Sequence, residues 1–185
     1  TNITFDTTVP SSATLSINSG AAYTDSTSVT LTISATDYFS PVSEMNIYNG
    51  TAFNANNWET YATTKSWTLP STEGTKTVRA RFRDAAVNEN STNLTSDTIV
   101  LDTTIPVVSA VSVNNVTTSN STYVKNGDTI NITATVTDTN QADITTSMIT
   151  ANLSAFGGGT TVNPTSFDTS TGSATWANLT VSGTT

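Results

Sequence analysis

One pentapeptide occurs twice and sets the scale of the whole chain. Asp6-Thr7-Thr8-Val9-Pro10 returns 96 residues later as Asp102-Thr103-Thr104-Ile105-Pro106. The text downstream returns as well. Ser28-Val29-Thr30-Leu31-Thr32-Ile33-Ser34-Ala35-Thr36-Asp37 is answered by Thr129-Ile130-Asn131-Ile132-Thr133-Ala134-Thr135-Val136-Thr137-Asp138. A period near 100 residues is too long for a solenoid unit and fits whole β-sandwiches in tandem. It divides the chain into residues 1–5, a first domain over 6–101 and a second over 102–185.

Within each copy the apolar residues alternate with polar ones. Val29, Leu31 and Ile33 share one face, as do Ile130, Ile132, Ala134 and Val136. Val78, Ala80 and Phe82 alternate with Arg79, Arg81 and Arg83, giving one buried and one basic face. Period-two alternation identifies strands, and β-branched Thr and Val suit them. Further strands are expected near residues 13–19, 43–49, 58–62, 65–69 and 93–101. Seven strands in about 95 residues is the count of an immunoglobulin-like sandwich, and helix signals are nearly absent. The fold class is therefore all-β, as two tandem Ig-like sandwiches.

The second copy supplies strands near 107–113, 129–137, 144–153, 161–167 and 174–181, but lacks counterparts of 76–84 and 93–101. Residues 1–5 in turn resemble the end of a last strand: compare Asn2-Ile3-Thr4-Phe5-Asp6 with Thr98-Ile99-Val100-Leu101-Asp102. Two readings follow. Either the chain is a piece of a longer array, or an unfinished sandwich accepts a strand from a neighbour. The candidate donor strand is Asn2, Ile3, Thr4, Phe5 and Asp6, with Ile3 and Phe5 on one face.

Composition excludes several chemistries. The chain has no His and no Cys, 11% charged residues and a net charge of −8. That leaves no His base, no Cys nucleophile, no disulfide and no thiolate or imidazole zinc site. A pI near 4.1 argues against nucleic acid, whose phosphates need clustered Lys and Arg. No apolar run approaches the ~18 residues of a membrane span. Paired carboxylates are the one conceivable catalytic engine, and the expectation is that the chain is not an enzyme.

Three features together resemble the immunoglobulin-like repeats of bacterial and archaeal surface proteins, including adhesins and surface-layer proteins. They are the Asp-Thr-Thr-Val/Ile-Pro boundary, the Ala21-Ala22-Tyr23-Thr24 turn, and Arg83-Asp84-Ala85-Ala86-Val87-Asn88. In the last, Val87 stands where such repeats have Gly, which puts the usual turn geometry in question. The resemblance implies an extracellular structural module at the cell surface, in a filament, a surface layer or a stalk. Its partners would be copies of itself or neighbouring repeats. A glycan-binding adhesin module, with surface glycans as partner, is the alternative.

The candidate sites follow. Asn-x-Ser/Thr sequons stand at Asn2, Asn49, Asn90, Asn93, Asn115, Asn120, Asn131, Asn152 and Asn178, eight of the nine with Thr. About seven are expected by chance in a chain so rich in Ser and Thr. Several glycans are nonetheless expected. No cofactor is required, but the resemblance implies calcium at domain junctions: Asp6, Asp37 and Asp84 would meet at one end of the first domain, and Asp102 with Asp138 at the next. Such Asp residues also cap turns with their own backbone. Trp58 and Tyr61, in an Asn-rich stretch, are the candidate sugar-binding rings. An intramolecular Lys–Asn bond would have only Lys65, Lys76 and Lys125 to draw on.

Overall fold

The computed structural model describes residues 3–92, 94–119 and 122–183. The chain divides into two compact units, Thr1–Thr103 and Thr104–Thr185. Both are β-structures without α-helix among the described residues, and no helix is long and apolar enough to cross a membrane.

The first unit holds eight strands: β1 (Ser11–Ile17), β2 (Tyr23–Thr24), β3 (Ser28–Thr36), β4 (Val42–Asn49), β5 (Glu59–Thr60), β6 (Thr64–Thr68), β7 (Gly74–Asp84) and β8 (Thr95–Leu101). They form a three-stranded sheet, β1-β3-β6, and a five-stranded sheet, β2-β8-β7-β4-β5. The alternation read from the sequence is the burial pattern. In β3 the residues Val29, Leu31, Ile33 and Ala35 point inward and the intervening Ser and Thr outward. Val78, Ala80 and Phe82 of β7 face them at 0% exposure. These residues join Leu15, Ile17, Met45, Ile47 and Ile99 in one core, so the two sheets make a sandwich. Side chains also tie β1 to β8: Ile17 N–H donates to Asp97 Oδ2 at 2.8 Å, and Thr95 Oγ1 to the Ala13 carbonyl at 2.9 Å.

The second unit is built differently. Its strands β9 (Val107–Asn115), β10 (Thr129–Thr137), β11 (Ser166–Asp168) and β12 (Ser173–Thr180) form one sheet, in the order β11-β12-β10-β9. Ile130, Ile132, Ala134 and Val136 of β10 and Ala174 and Trp176 of β12 face its core. Irregular chain covers that face, with Ile144, Ile149 and Leu153 as its apolar pins. The strand expected over 144–153 is absent. Residues Thr146–Met148 form a 3-10 turn, and Ala151 makes an isolated bridge to Val162. Spacings of five and four between the three pins fit neither strand nor helix, so the segment binds through side chains rather than a ladder. Likewise the expected 58–62 strand shortens to Glu59–Thr60, paired with β4, with one further bond from Tyr61 N–H to the Ser43 carbonyl at 2.9 Å.

Burial also differs between repeat-equivalent strands. Leu15 in β1 is 8% exposed, while its counterpart Val111 in β9 is 65% exposed. Val107 and Val108 are also exposed, and β9 is an edge strand. An uncharged edge of nine residues, five of them apolar, is a template for pairing with another strand.

Candidate functional site

The repeated pentapeptide and the strand ends nearest it build an acidic cluster in the first unit. Asp6 lies on the segment before β1, Asp37 directly follows β3, and Asp84 ends β7. Carboxylate oxygens of the three lie within 4.8 Å of one another. Neutral donors hold each of them. Thr8 N–H and Ser40 Oγ donate to the two oxygens of Asp6 at 2.9 and 2.6 Å. Phe39 N–H and Ser40 N–H donate to Asp37 Oδ1 at 3.0 and 3.1 Å. The buried Asp84 accepts from Asn88 N–H and Asn88 Nδ2, both at 2.8 Å. Asn88 Nδ2 also reaches the Asp6 carbonyl at 3.2 Å. The Thr8 hydroxyl stands 2.7 Å from Asp6 Oδ1 and 3.2 Å from Asp37 Oδ1, where its single proton serves the nearer oxygen. The result is a clasp pinning the entering chain to the β3–β4 turn and the end of β7.

Hydrogen bonds from Ser40 and then Thr8 hold the Asp6 carboxyl below its ordinary value. Its contribution to the clasp is therefore complete above about pH 4 and disappears as pH falls through the lowered folded value. The donor set also suits calcium, being hard carboxylate and carbonyl oxygen at compatible spacing. Asp6, Asp37 and Asp84 would hold the ion, which would cross-link the same three segments. Since neutral donors already satisfy the carboxylates, we expect a melting temperature unchanged by chelator at pH 7 and lowered below pH 4. A fall of several degrees on chelation at pH 7 would instead make a cation part of the clasp.

The second unit repeats half of this arrangement. Thr104 Oγ1 donates to Asp138 Oδ1 at 3.3 Å, the counterpart of the Thr8–Asp37 approach. Asp138 Oδ1 also accepts Asn140 N–H at 3.0 Å. Asp102 falls in the first unit, where its N–H donates to the Thr24 carbonyl, and Asp138 falls in the second. Thr103, the next residue, is anchored by a group that carries no local signal. Both the N–H and the hydroxyl of Thr103 donate to the Glu73 carboxylate, in the turn before β7.

The structure does not bring Trp58 and Tyr61 into one platform. Tyr61 packs on the core beside Phe82 and takes the Ala35 N–H on its hydroxyl at 3.1 Å. Trp58 lies on the opposite side of the five-stranded sheet, with the Arg83 guanidinium 3.9 Å over its ring. Arg81 covers Phe53 in the same way at 3.8 Å, and both arginines pair with Glu89. The basic ladder is thus a stacked, ion-paired outer layer. Val87 adopts φ +68°, so the turn keeps a left-handed residue with Val in it; that conformation costs a β-branched residue about 1–2 kcal/mol.

Ile3, Thr4 and Phe5 of the expected donor strand are in no strand, with Ile3 and Phe5 exposed. Asn2, Asn93 and Asn120 lie outside the described residues. Asn49 and Asn131 are half-buried, Asn90 and Asn115 are buried, and Asn152 and Asn178 are exposed. Lys125 meets Asp128 as an ion-pair donor, from a side chain 74% exposed. Comparison with known proteins finds no matching family model, no matching curated protein and no matching solved structure.

Proposed function

We propose that the chain is a non-enzymatic structural spacer of an extracellular, cell-surface assembly, built from tandem β-units of which the first is an Ig-like sandwich. One observation carries this reading: consecutive residues at the unit boundary are tied to different units. Thr103 is bonded to Glu73 in the first unit and Thr104 to Asp138 in the second. No free residue is left between the two anchors, and Pro106 restricts the backbone just beyond. Thr8 stands at a similar distance from Asp37 in the first unit, so the repeat carries the same Thr–Asp approach with it. A linker without slack suits a stalk or lattice that must transmit force. Backbone-amide NMR relaxation tests this reading, because tied units share one correlation time. A glycan-binding head has less support, since Arg83 covers Trp58 and Tyr61 belongs to the core.

A second reading, compatible with the first, rests on the bare edge of β9. Its occupant would be the Ile3–Phe5 segment of a second copy. Ile3-Thr4-Phe5-Asp6 repeats the pattern of Ile99-Val100-Leu101-Asp102, and β8, which carries that pattern, lies against β1, the counterpart of β9. Ile3 and Phe5 are 97% and 87% exposed, whereas Ile99 and Leu101 are buried. Strand addition of this kind is head-to-tail and propagates into a filament. Light scattering should show mass rising with concentration, abolished by Phe5→Asp and by Val111→Lys. A monomer at every concentration contradicts the reading. Association surviving Phe5→Asp but lost in Val111→Lys moves the occupant to another segment.

A further inference from the structure

We propose that Asn152 and Asn178 are N-glycan acceptors of the second unit, and that Asn90 and Asn115 are structural despite their sequons. The proposal rests on the extracellular reading above. N-glycosylation joins Nδ2 to the anomeric carbon of a sugar, so the carboxamide must face solvent and give up one N–H. The donor class is a lipid-linked pyrophosphoryl oligosaccharide. The bond from Nδ2 to the anomeric carbon forms as the bond from that carbon to the pyrophosphate oxygen breaks. The lipid pyrophosphate leaves with the electron pair, and the displaced amide proton passes to the transferase base.

Asn115 cannot meet these conditions in the folded unit. It is 1% exposed, and both Nδ2 hydrogens are committed, to Asp128 Oδ2 at 2.7 Å and the Tyr123 carbonyl at 3.2 Å. Its Oδ1 accepts Thr117 N–H and Thr118 N–H, closing the turn after β9. Asn90 is 2% exposed, and its Oδ1 takes the Phe82 N–H at 2.7 Å. Its own N–H donates to the Phe82 carbonyl at 3.2 Å, so Asn90 stands in for a ladder partner beside β7. A sugar on either residue requires the surrounding turn to open.

The exposed pair is arranged the other way. Asn178 sits at φ +56° on β12, where the pairing register with β10 shifts. Its backbone N–H is held by Asn131 Oδ1 at 2.8 Å, and its carboxamide bonds nothing else among the described residues. The same bond uses the half-buried Asn131 as a support. Asn152 accepts both Ser154 N–H and Ser154 Oγ on its Oδ1, at 3.1 and 2.7 Å, leaving both Nδ2 hydrogens outside the turn.

Glycopeptide mapping of the folded protein purified from its own cells tests the partition. Sugar on Asn178 or Asn152 with none on Asn90 and Asn115 supports it. Sugar on Asn90 or Asn115, or bare side chains at both exposed sites, overturns it. Thr180→Val, which removes the Asn178 sequon and leaves the left-handed Asn in place, and Asn152→Gln should each remove one glycan mass from an occupied site with little change in melting temperature. Asn115→Gln should lower that temperature and remove no glycan. Since linker stiffness does not depend on sugar, a bare protein whose units tumble together overturns this proposal alone.

Discussion

Trp176→Ala is expected to unfold residues 104–183 at temperatures where the first unit remains folded. The indole is 3% exposed and is the largest side chain in the second core. Its ring lies on the single sheet opposite Ile132, and its Nε1 donates to the Val162 carbonyl at 2.8 Å. Through that bond and the Ala151–Val162 bridge, it holds down the irregular chain that does the work of a second sheet. Truncating a buried Trp costs about 3–5 kcal/mol, and the orphaned carbonyl adds about 1 kcal/mol or more. Against a stability of about 5–15 kcal/mol for an ordinary domain, a one-sheet unit has little reserve. Calorimetry should therefore resolve two transitions, one shifted down by about 15–30 °C and one in place. A single transition moving as a whole would contradict the separation of the two cores.

How much of this was legible depended on range. The alternation in β3 and β10 predicted their buried faces residue by residue, because period two is a local property that burial then uses. The resemblance to surface-protein repeats pointed to Asp6, Asp37 and Asp84, and the three do meet, since strand ends in a sandwich converge on its two rims. Three things were not legible. Ile144, Ile149 and Leu153 look like strand residues by type, yet their spacing matches no ladder. Only the absence of a facing sheet explains why they are buried. Glu73 was invisible because a Glu in a Ser-Thr-Glu-Gly turn carries no signal, and its partner Thr103 is thirty residues away. Sequon occupancy was illegible for a similar reason. Asn115 and Asn178 share a local signature, and only their long-range surroundings separate a buried peg from an open acceptor.

The second large effect is expected at the boundary itself. Glu73→Ala removes the acceptor of both Thr103 bonds, and Asp138→Ala removes that of Thr104. Each exposed bond is worth about 0.5–1.5 kcal/mol, too little to threaten either fold but enough to release a short linker. The double variant should keep its melting temperature nearly unchanged while its units reorient separately.

Backbone-amide NMR relaxation on the unaltered chain tests the spacer account most directly. The account predicts one rotational correlation time for residues of β3 and β7 and for residues of β10 and β12, splitting into two shorter times in the Glu73→Ala, Asp138→Ala variant. Two separate correlation times in the unaltered chain would contradict it.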